Sequence, residues 1–327
     1  MSKFETVSPI NGEILFTREH ASEQEIEKSL DQATQAQSSW KQRGLSERIA
    51  VLEKFVAAVV EKKEVLATEL TEQMGRPIRY SAGEISGFEQ RATMMLSMAE
   101  EALADIIPAK QEGLTRFIRR EALGVVLVLS PWNYPYLTAV NAIIPALAAG
   151  NTVILKHSEQ TALVAERLLE AAERAGLPAG IFQVIHCTHE QIGEVVQDSR
   201  IAFVAFTGSV EGGQAVQKAA SDRFIGLGLE LGGKDPAYVR ADADFTHAVE
   251  SLVDGAFFNS GQSCCGVERI YVHEALYQRF VDAFATMVRG YVLGDPMQEE
   301  TTLGPMVRKR NADHVRGQIQ EAIDAGA

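Results

Sequence analysis

Cysteine is scarce in this sequence: its 327 residues include three cysteines, two of them the adjacent Cys264 and Cys265. A disulfide framework is therefore excluded, because it needs several cysteines spaced along the chain. Basic residues are in deficit as well, and the formal net charge is -13. Because nucleic acids and anionic membrane surfaces are bound through a basic face, neither is an expected partner.

Long apolar runs are missing too. The longest, near Val125–Leu129, is far too short to cross a bilayer. The first residues, MSKFETVSPINGE, lack the apolar core of a signal peptide. We therefore expect a cytoplasmic protein with reduced thiols and no membrane association. The content of 46% hydrophobic and 23% charged residues, at a length beyond a single core, is typical of a globular enzyme with two or more domains.

Two rhythms of apolar residues divide the chain. Residues 22–39, 46–74 and 84–104 show helical spacing. From Gly124 onward, short apolar strands alternate with helices, which predicts a parallel sheet in an open α/β fold. The predicted strands are 124–129, 152–155, 182–185, 201–206, 236–239 and 269–272, and the predicted helices are 136–148, 162–175, 190–197, 244–258 and 275–290.

The segment 104–123, ADIIPAKQEGLTRFIRREAL, fits neither rhythm. Alternation over Thr115–Arg120 favours a hairpin or an exposed arm. A surface loop between two helical layers is the alternative. A second α/β unit is predicted to start near Lys234.

The motif SPWNYP, residues 130–135, follows the first predicted strand. Open α/β sheets bind ligands beyond the carboxyl ends of their strands. The two prolines stiffen the turn that holds Trp132 and Asn133, and an asparagine amide can stabilise an oxyanion. A turn asparagine bonded to its own backbone is the alternative.

Two further motifs follow predicted strands. LKHSEQT, residues 155–161, places Lys156 and Glu159 where ribose hydroxyls can be held, although the two can equally form a solvated pair. FTGSVEGG, residues 206–213, combines a glycine and serine turn with a helix start, which suits a pyrophosphate or an ordinary serine-capped helix. The G-x-G-x-x-G fingerprint of dinucleotide sites is absent from the chain.

LELGGKDP, residues 229–236, places Glu230 in an otherwise apolar stretch with Leu227, Leu229 and Leu231. A carboxyl group in apolar surroundings has a raised pKa, which suits a general base near neutral pH. The alternative is a glutamate on an edge strand that points to water.

The adjacent cysteines in FFNSGQSCCG have several possible roles. A zinc site needs C-x-x-C pairs, and the other candidate metal cluster is His186, Cys187 and His189. A disulfide between neighbours is strained. A thiol in a turn before a strand suits a nucleophile, and a buried apolar filler is the alternative.

In their order along the chain, the motifs resemble the aldehyde dehydrogenase superfamily over essentially the whole sequence. The segments are SPINGE, GVVLVLSPWNYP, PALAAGNTVILKHSEQT, GLPAGIFQVI, FTGS, LELGGKDP and FFNSGQSCCG. The most specific part is LELGGK followed by G-Q-x-C, and the interval from Glu230 to Cys264 matches that of the family. The resemblance assigns the nucleophile to Cys264 and makes Cys265 a bystander.

The resemblance implies oxidation of an aldehyde to a carboxylic acid with NAD+. The Cys264 thiolate attacks the aldehyde carbon, and Asn133 with the Cys264 N–H holds the oxyanion. The thiohemiacetal loses hydride to form a thioester, which water activated by Glu230 hydrolyses. The presence of that glutamate favours hydrolysis over transfer to coenzyme A, and no metal is expected.

The resemblance also implies a set of cofactor contacts. A carboxylate at Glu159 would repel a 2′-phosphate, so NAD is expected rather than NADP. Trp132 is expected to form a wall of the cofactor cleft. The remaining expected contacts are Lys156 beside Glu159, Gly208 and Ser209 in the pyrophosphate turn, and Leu231 and Gly232.

The resemblance finally implies an α/β domain organisation. An open Rossmann-like parallel-sheet cofactor domain is expected at 1–103 and 124–231, a second α/β catalytic domain at 232–327, and a small β-arm for oligomerisation at 104–123. Family members continue well past the position of Ala327, so we expect an incomplete catalytic domain, with a full-length protein forming a homodimer or homotetramer. A truncated, catalytically impaired nucleotide-binding remnant is the alternative.

Overall fold

A computed structural model describes residues 2–327. The strands are β1 (Lys3–Val7), β2 (Ile14–Glu19), β3 (Val125–Ser130), β4 (Thr152–His157), β5 (Phe182–Val184), β6 (Ile201–Thr207), β7 (Gly226–Glu230), β8 (Asp235–Val239) and β9 (Val267–Val272). The α-helices are α1 (Glu23–Trp40), α2 (Leu45–Val60), α3 (Lys63–Met74), α4 (Ile78–Leu103), α5 (Pro135–Ala148), α6 (Ala162–Arg174), α7 (His189–Gln197), α8 (Val210–Ala219), α9 (Phe245–Phe257), α10 (Tyr277–Val288) and α11 (Lys309–Asp324).

The chain forms two compact units, each built from several segments. The first unit comprises the chain up to Phe4, Thr17–Leu66 and Gly83–Glu230. The second unit comprises Glu5–Phe16, Ala67–Ala82 and Leu231–Ala327. The assignment of a cofactor domain and a catalytic domain to parts of the chain stays a prediction.

The first unit is built on a parallel sheet of five strands in the order β5-β4-β3-β6-β7. The predicted parallel sheet is confirmed. From β3 the chain moves through β4 to β5, and then crosses back to β6 and β7, so the strand order reverses between β3 and β6. The last residues of these two strands, Ser130 and Thr207, therefore flank the topological switch point, the place where such sheets bind ligands.

Helices cover both faces of this sheet. Alternate residues of β3 contribute to two separate apolar cores: Val126 and Val128 belong to the core formed with α2, α4, α5 and α6. Val125, Leu127 and Leu129 belong to the core formed with α1, α7 and α8. Since successive side chains of a strand point to opposite faces, a strand covered on both faces is apolar throughout. This explains why β3 has a continuous apolar sequence.

The second unit contains the parallel pair β8 and β9, joined by α9. Val239 of β8, Val249 and Val253 of α9, and Phe280 of α10 form its buried core. The predicted second α/β unit is thus present. Strands β1 and β2 form a separate two-stranded sheet.

Some predicted boundaries are wrong. The predicted helix 46–74 is in fact two helices, α2 and α3. The α-helical hydrogen-bond pattern is interrupted at Lys62, whose N–H bonds to the carbonyl oxygen of Val59, three residues back instead of four. The predicted helix 84–104 begins earlier, at Ile78. Strands β1, β2 and β7 were not among the predicted strands.

The segment 104–123 forms isolated antiparallel bridges, between Ile106 and Ile118 and between Gln111 and Leu114. The predicted hairpin is therefore present only as bridges. Apolar side chains along it are exposed, among them Ile107 at 72%. Its role in oligomerisation stays a prediction. No helix within residues 2–327 has the length and apolar composition needed to span a bilayer.

Candidate active site

The turn after β3 carries Trp132 and Asn133, both partly buried. Asn133 Oδ1 accepts a hydrogen bond from the Tyr134 backbone N–H at 3.1 Å. This bond to the next residue fits the alternative of a turn asparagine that is bonded to the local backbone. An amide oxygen accepts and the amide nitrogen donates, so the hydrogen-bond donor of the Asn133 side chain is Nδ2. The oxyanion role of Asn133 stays a prediction.

Helix α5 begins directly after this turn, and its N-terminus is capped from another helix. Its N-cap residue, Tyr134, makes no side-chain capping bond, and Pro135 at the first helical position has no N–H. The next two N–H groups, of Tyr136 and Leu137, both donate to Glu84 Oε1, at 2.8 and 3.2 Å. Glu84 lies on α4 and is only 5% exposed. No local sequence pattern indicates this cap, because its partners lie far apart in the chain.

We expect Glu84→Ala to lower the free energy of unfolding by about 1–3 kcal/mol, because two N–H groups lose a buried acceptor. Glu84→Gln keeps an oxygen at the same place and should lose less than about 1 kcal/mol. Urea unfolding followed by circular dichroism measures both values. Equal stability of Glu84→Ala and the unmodified chain would rule out the capping role.

The turn after β6 carries Gly208 and Ser209. The Ser209 hydroxyl caps α8 by accepting a bond from the Gly212 N–H at 3.1 Å. A Cβ added at Gly208 or at Gly212 would lie 2.6 Å from Phe206 Cζ, so a larger residue at either position would require that ring to move. The Gly208 N–H donates to the Glu230 carbonyl oxygen at 3.0 Å. The serine-capped helix is present, and the positive end of its dipole lies at the switch-point edge.

Lys156 lies near the carboxyl end of β4, and Glu159 comes just after this strand, at the same edge of the sheet. Lys156 is buried at 9% exposure. Glu159 Oε1 lies 3.1 Å from His20 Nε2, and His20 Nδ1 lies 2.9 Å from Ser2 Oγ. His20 is itself buried at 8% exposure, so one side of the Glu159 carboxylate is held in place. Sequence reasoning did not find His20, which lies far from this motif in the chain.

The expected burial of Glu230 among leucines is wrong. Glu230 is the last residue of β7, an edge strand, and it is exposed. Leu227 and Leu229 pack against the core on one face of this strand. With the two-residue period of a strand, Glu230 shares the opposite face with Gly226 and Gly228. The alternative of an edge-strand glutamate that faces water therefore fits its position.

The loop after β7 reaches Cys264 within the second unit. Leu231 is partly buried and Gly232 is exposed. The Gly233 N–H donates to the Cys264 carbonyl oxygen at 3.1 Å. A Cβ added at Gly233 would lie 3.0 Å from Asp235 Oδ1 and 3.1 Å from that carbonyl oxygen. The close approach of the two backbones therefore favours glycine at this position.

Cys264 lies in the turn between a short 3-10 helix, Phe258–Gly261, and β9. Cys264 and Cys265 are exposed, whereas Cys187 is buried. Partial burial raises the pKa of the Cys264 thiol, and the charge and hydrogen bonding of the neighbouring Cys265 thiol raise it further. Burial raises the pKa of Cys187 to about 12. The alternative of a buried filler is therefore wrong for both adjacent cysteines, and Cys264 is accessible to a reagent.

Of the candidate metal cluster His186, Cys187 and His189, the first residue belongs to an ion-pair network. His186 Nε2 lies 3.3 Å from Glu166 Oε1, and the Arg18 Nε–H donates to the same oxygen at 2.8 Å. Burial opposes ionisation of Glu166, but bonds from His186 and Arg18 lower its pKa to about 2. Within residues 2–327, no group of three or more potential metal-ligating side chains is found.

Residues 1–327 match the model of the aldehyde dehydrogenase family. The chain therefore belongs to this family of NAD(P)-dependent oxidoreductases, and the resemblance drawn from its motifs is confirmed. The predicted α/β fold class is confirmed by the solved structures that it matches.

Among curated relatives, the chain is 32% identical over 324 residues to 3,6-anhydro-alpha-L-galactose dehydrogenase of Vibrio sp. (strain EJY3), covering 99% of this chain and 68% of the relative. Among solved structures it matches an NAD-dependent aldehyde dehydrogenase from Sinorhizobium meliloti with a TM-score of 0.95 and 31% identity. The match covers 100% of this chain and 66% of that structure's chain. It also matches the succinic semialdehyde dehydrogenase from Streptococcus pyogenes in complex with NADP+, with a TM-score of 0.94, 27% identity, and 99% and 71% covered. The chain thus spans about two thirds of the length of these relatives.

Proposed function

We propose that the chain carries the cysteine nucleophile and the cofactor contacts of an enzyme that oxidises an aldehyde to a carboxylic acid with NAD+. The observation that carries the proposal is the exposed thiol of Cys264, whose backbone is bonded to the G-G-K loop through Gly233. The segments LELGGK and G-Q-x-C, which contain this loop and Cys264, are the motifs of the chain that are most specific to the family. The substrate is proposed to be a small aldehyde, the class that the names of the relatives indicate.

The polar groups at the switch-point edge support the proposal that a dinucleotide binds there. The N-terminus of α8 offers a positive dipole end to a pyrophosphate, and Ser209 lies at its cap. Lys156 and the fixed carboxylate of Glu159 suit ribose hydroxyls. Trp132 is proposed to form a wall of this cleft, and Leu231 and Gly232 to be further contacts. When bound there, NAD+ supplies the hydride acceptor.

In the proposed reaction, the sulfur of Cys264 forms a bond to the aldehyde carbon while the carbonyl electron pair moves onto oxygen. Asn133 Nδ2–H and the Cys264 backbone N–H donate to that oxyanion. Loss of hydride leaves a thioester on Cys264. Glu230 then accepts a proton from water, and the resulting hydroxide releases the carboxylic acid and restores the thiolate.

The raised pKa of Cys264 has a kinetic consequence in this reaction. Because the thiolate is the nucleophile, a raised pKa keeps its population small at neutral pH. The rate of the first step should therefore increase with pH through the neutral range.

Two measurements test the proposed function. The purified chain, checked by intact mass, is mixed with NAD+ and a panel of semialdehydes and sugar aldehydes, and the absorbance of reduced nicotinamide is followed. Aldehyde-dependent reduction supports the proposal. Binding of NAD+ by calorimetry without any reduction would instead favour the nucleotide-binding remnant. Sedimentation of the same sample tests the proposed homodimer or homotetramer.

We further propose that NAD is preferred to NADP, since the Glu159 carboxylate repels a 2′-phosphate. Glu159→Gln removes this charge and should reduce the ratio of kcat/KM for NAD to that for NADP about tenfold, equivalent to about 1.4 kcal/mol. Glu173→Gln, an exposed glutamate of α6, is the matched control and should leave the ratio unchanged. A ratio that Glu159→Gln does not alter would refute the role of this carboxylate.

A further inference from the structure

Three consecutive residues shortly before Cys264 have left-handed backbone conformations. The φ angles are 55° at Asn259, 58° at Ser260 and 73° at Gly261. Among residues 2–327, Asn259 and Ser260 are the two non-glycine residues with positive φ. Each such residue costs on the order of 1 kcal/mol or more, so the conformation persists only where surrounding contacts enforce it. We call residues 259–261 the left-handed turn.

Side-chain hydrogen bonds enforce this turn from several directions. Asn259 Nδ2–H donates to the Gln262 carbonyl oxygen at 3.2 Å, and Gln262 Nε2–H donates to the Asn259 carbonyl oxygen at 3.1 Å. Ser260 Oγ–H donates to the Gly304 carbonyl oxygen at 2.8 Å. Gln262 Oε1 accepts from the Val307 N–H at 2.9 Å. Asn259 is 6% exposed and Gln262 is 9% exposed, so these bonds are made largely out of water.

Arg76 completes the network from a distant part of the chain. It lies between α3 and α4, is 3% exposed, and its Nε–H donates to Asn259 Oδ1 at 3.2 Å. Its loop is packed tightly: Gly75 has a φ of 76°, and a Cβ there would lie 2.7 Å from Pro305 Cγ. A Cβ at Gly304 would collide with the Gly75 carbonyl oxygen. The backbone next to Arg76 is therefore closely packed against the segment that contains Gly304 and Pro305.

We infer that Arg76 is a positioning residue for Cys264, an inference that rests on the proposed function of that thiol. The guanidinium fixes Oδ1 of the Asn259 amide, which directs Nδ2 onto the Gln262 carbonyl oxygen. The Gln262 carbonyl lies two peptide units before Cys264. On the other side, the Cys264 carbonyl oxygen is bonded to Gly233. The backbone that carries the thiol is thus held from both directions.

The inference is tested by the reactivity of Cys264 in the full chain. Arg76→Met removes the donor, and Arg76→Lys keeps a cation that can partly replace it. Each variant is made in a Cys265→Ala background, so that the peptide mass after iodoacetamide treatment at fixed pH reports Cys264 alone. The kcat and the KM for NAD+ are measured alongside. We expect Arg76→Met to change the alkylation rate at least fivefold and to lower kcat about tenfold or more, with KM nearly unchanged and partial recovery in Arg76→Lys.

A second variant covers the case in which Arg76→Met fails to fold. Asn259→Gly removes the acceptor of Arg76, while glycine adopts the positive φ without strain. It should reproduce the change in alkylation rate, and combining it with Arg76→Lys should add nothing further, since the acceptor of the Arg76 bond is already absent.

Arg48→Met is the matched control. Arg48 is 8% exposed, and its Nε–H donates to the Ala148 carbonyl oxygen at 2.9 Å in the first unit. Its loss should lower stability without altering Cys264 alkylation. Unchanged alkylation in Arg76→Met and Asn259→Gly, or an equal change in Arg48→Met, would overturn the inference. Because alkylation needs no aldehyde turnover, a failure of the proposed function would appear separately, as absent NAD+ reduction in the unmodified chain.

Discussion

Replacing Cys264 by serine should abolish aldehyde-dependent reduction of NAD+, with a loss in kcat on the order of 10⁴-fold or more. The chain offers one thiol at this place that is both exposed and bonded through its backbone to the G-G-K loop. A serine hydroxyl at the same position is a far weaker nucleophile, because its pKa is much higher than that of a thiol. Steady-state absorbance of reduced nicotinamide measures the loss.

The neighbouring thiol provides the control for this experiment. Cys265→Ala should retain turnover within a few-fold, because the proposed chemistry uses one sulfur only. It removes a residue that raises the pKa of Cys264, so its acylation rate at neutral pH should not fall. If Cys265→Ala abolished turnover and Cys264→Ser did not, the assignment of nucleophile and bystander would be reversed.

The second large effect is expected at Glu230. Glu230→Gln should still acylate and release one burst of reduced cofactor, since hydride loss precedes the step that uses the carboxylate. Steady turnover should then fall by roughly 10²–10⁴-fold, the range in which a general base contributes. Rapid mixing separates the burst from the steady phase, and mass spectrometry should detect the thioester on Cys264.

An exposed glutamate elsewhere in the chain serves as the control for Glu230. Glu250 lies on α9 and is exposed, so Glu250→Gln should leave burst and turnover unchanged. Undiminished steady turnover in Glu230→Gln would show that another group activates water. A missing burst would instead place this carboxylate in the acylation step.

Several elements of the fold could be predicted because their signals are local. Strands β3 and β4 contain the apolar runs VVLVL and VIL, which follow Gly124 and Gly150, and the helices after them show a helical period. Strand β7 was missed because two glycines interrupt it. A Cβ at Gly226 would lie 2.7 Å from the Phe203 ring of β6, so the glycine leaves room for a ring that no local pattern shows.

In the candidate site, too, some features could be predicted from local sequence and others could not. The turns that carry Asn133, Ser209 and Cys264 could be found from motifs, since each follows or precedes an element with a clear period. Their environments could not: Glu230 was expected among apolar side chains and is exposed, because its side chain lies on the strand face opposite the leucines. A run of residue types does not specify which face of an edge strand is covered.

By itself the sequence determined the family and the parallel α/β architecture, and it predicted the residues that are proposed to act on the aldehyde and the cofactor. Only the tertiary structure revealed what holds those residues: Glu84 at the start of α5, His20 beside Glu159, and Arg76 on Asn259. The physical reason is sequence distance. Motifs and periodicity report on residues a few positions apart, whereas each of these hydrogen bonds joins residues more than fifty positions apart and exists only after the chain has folded.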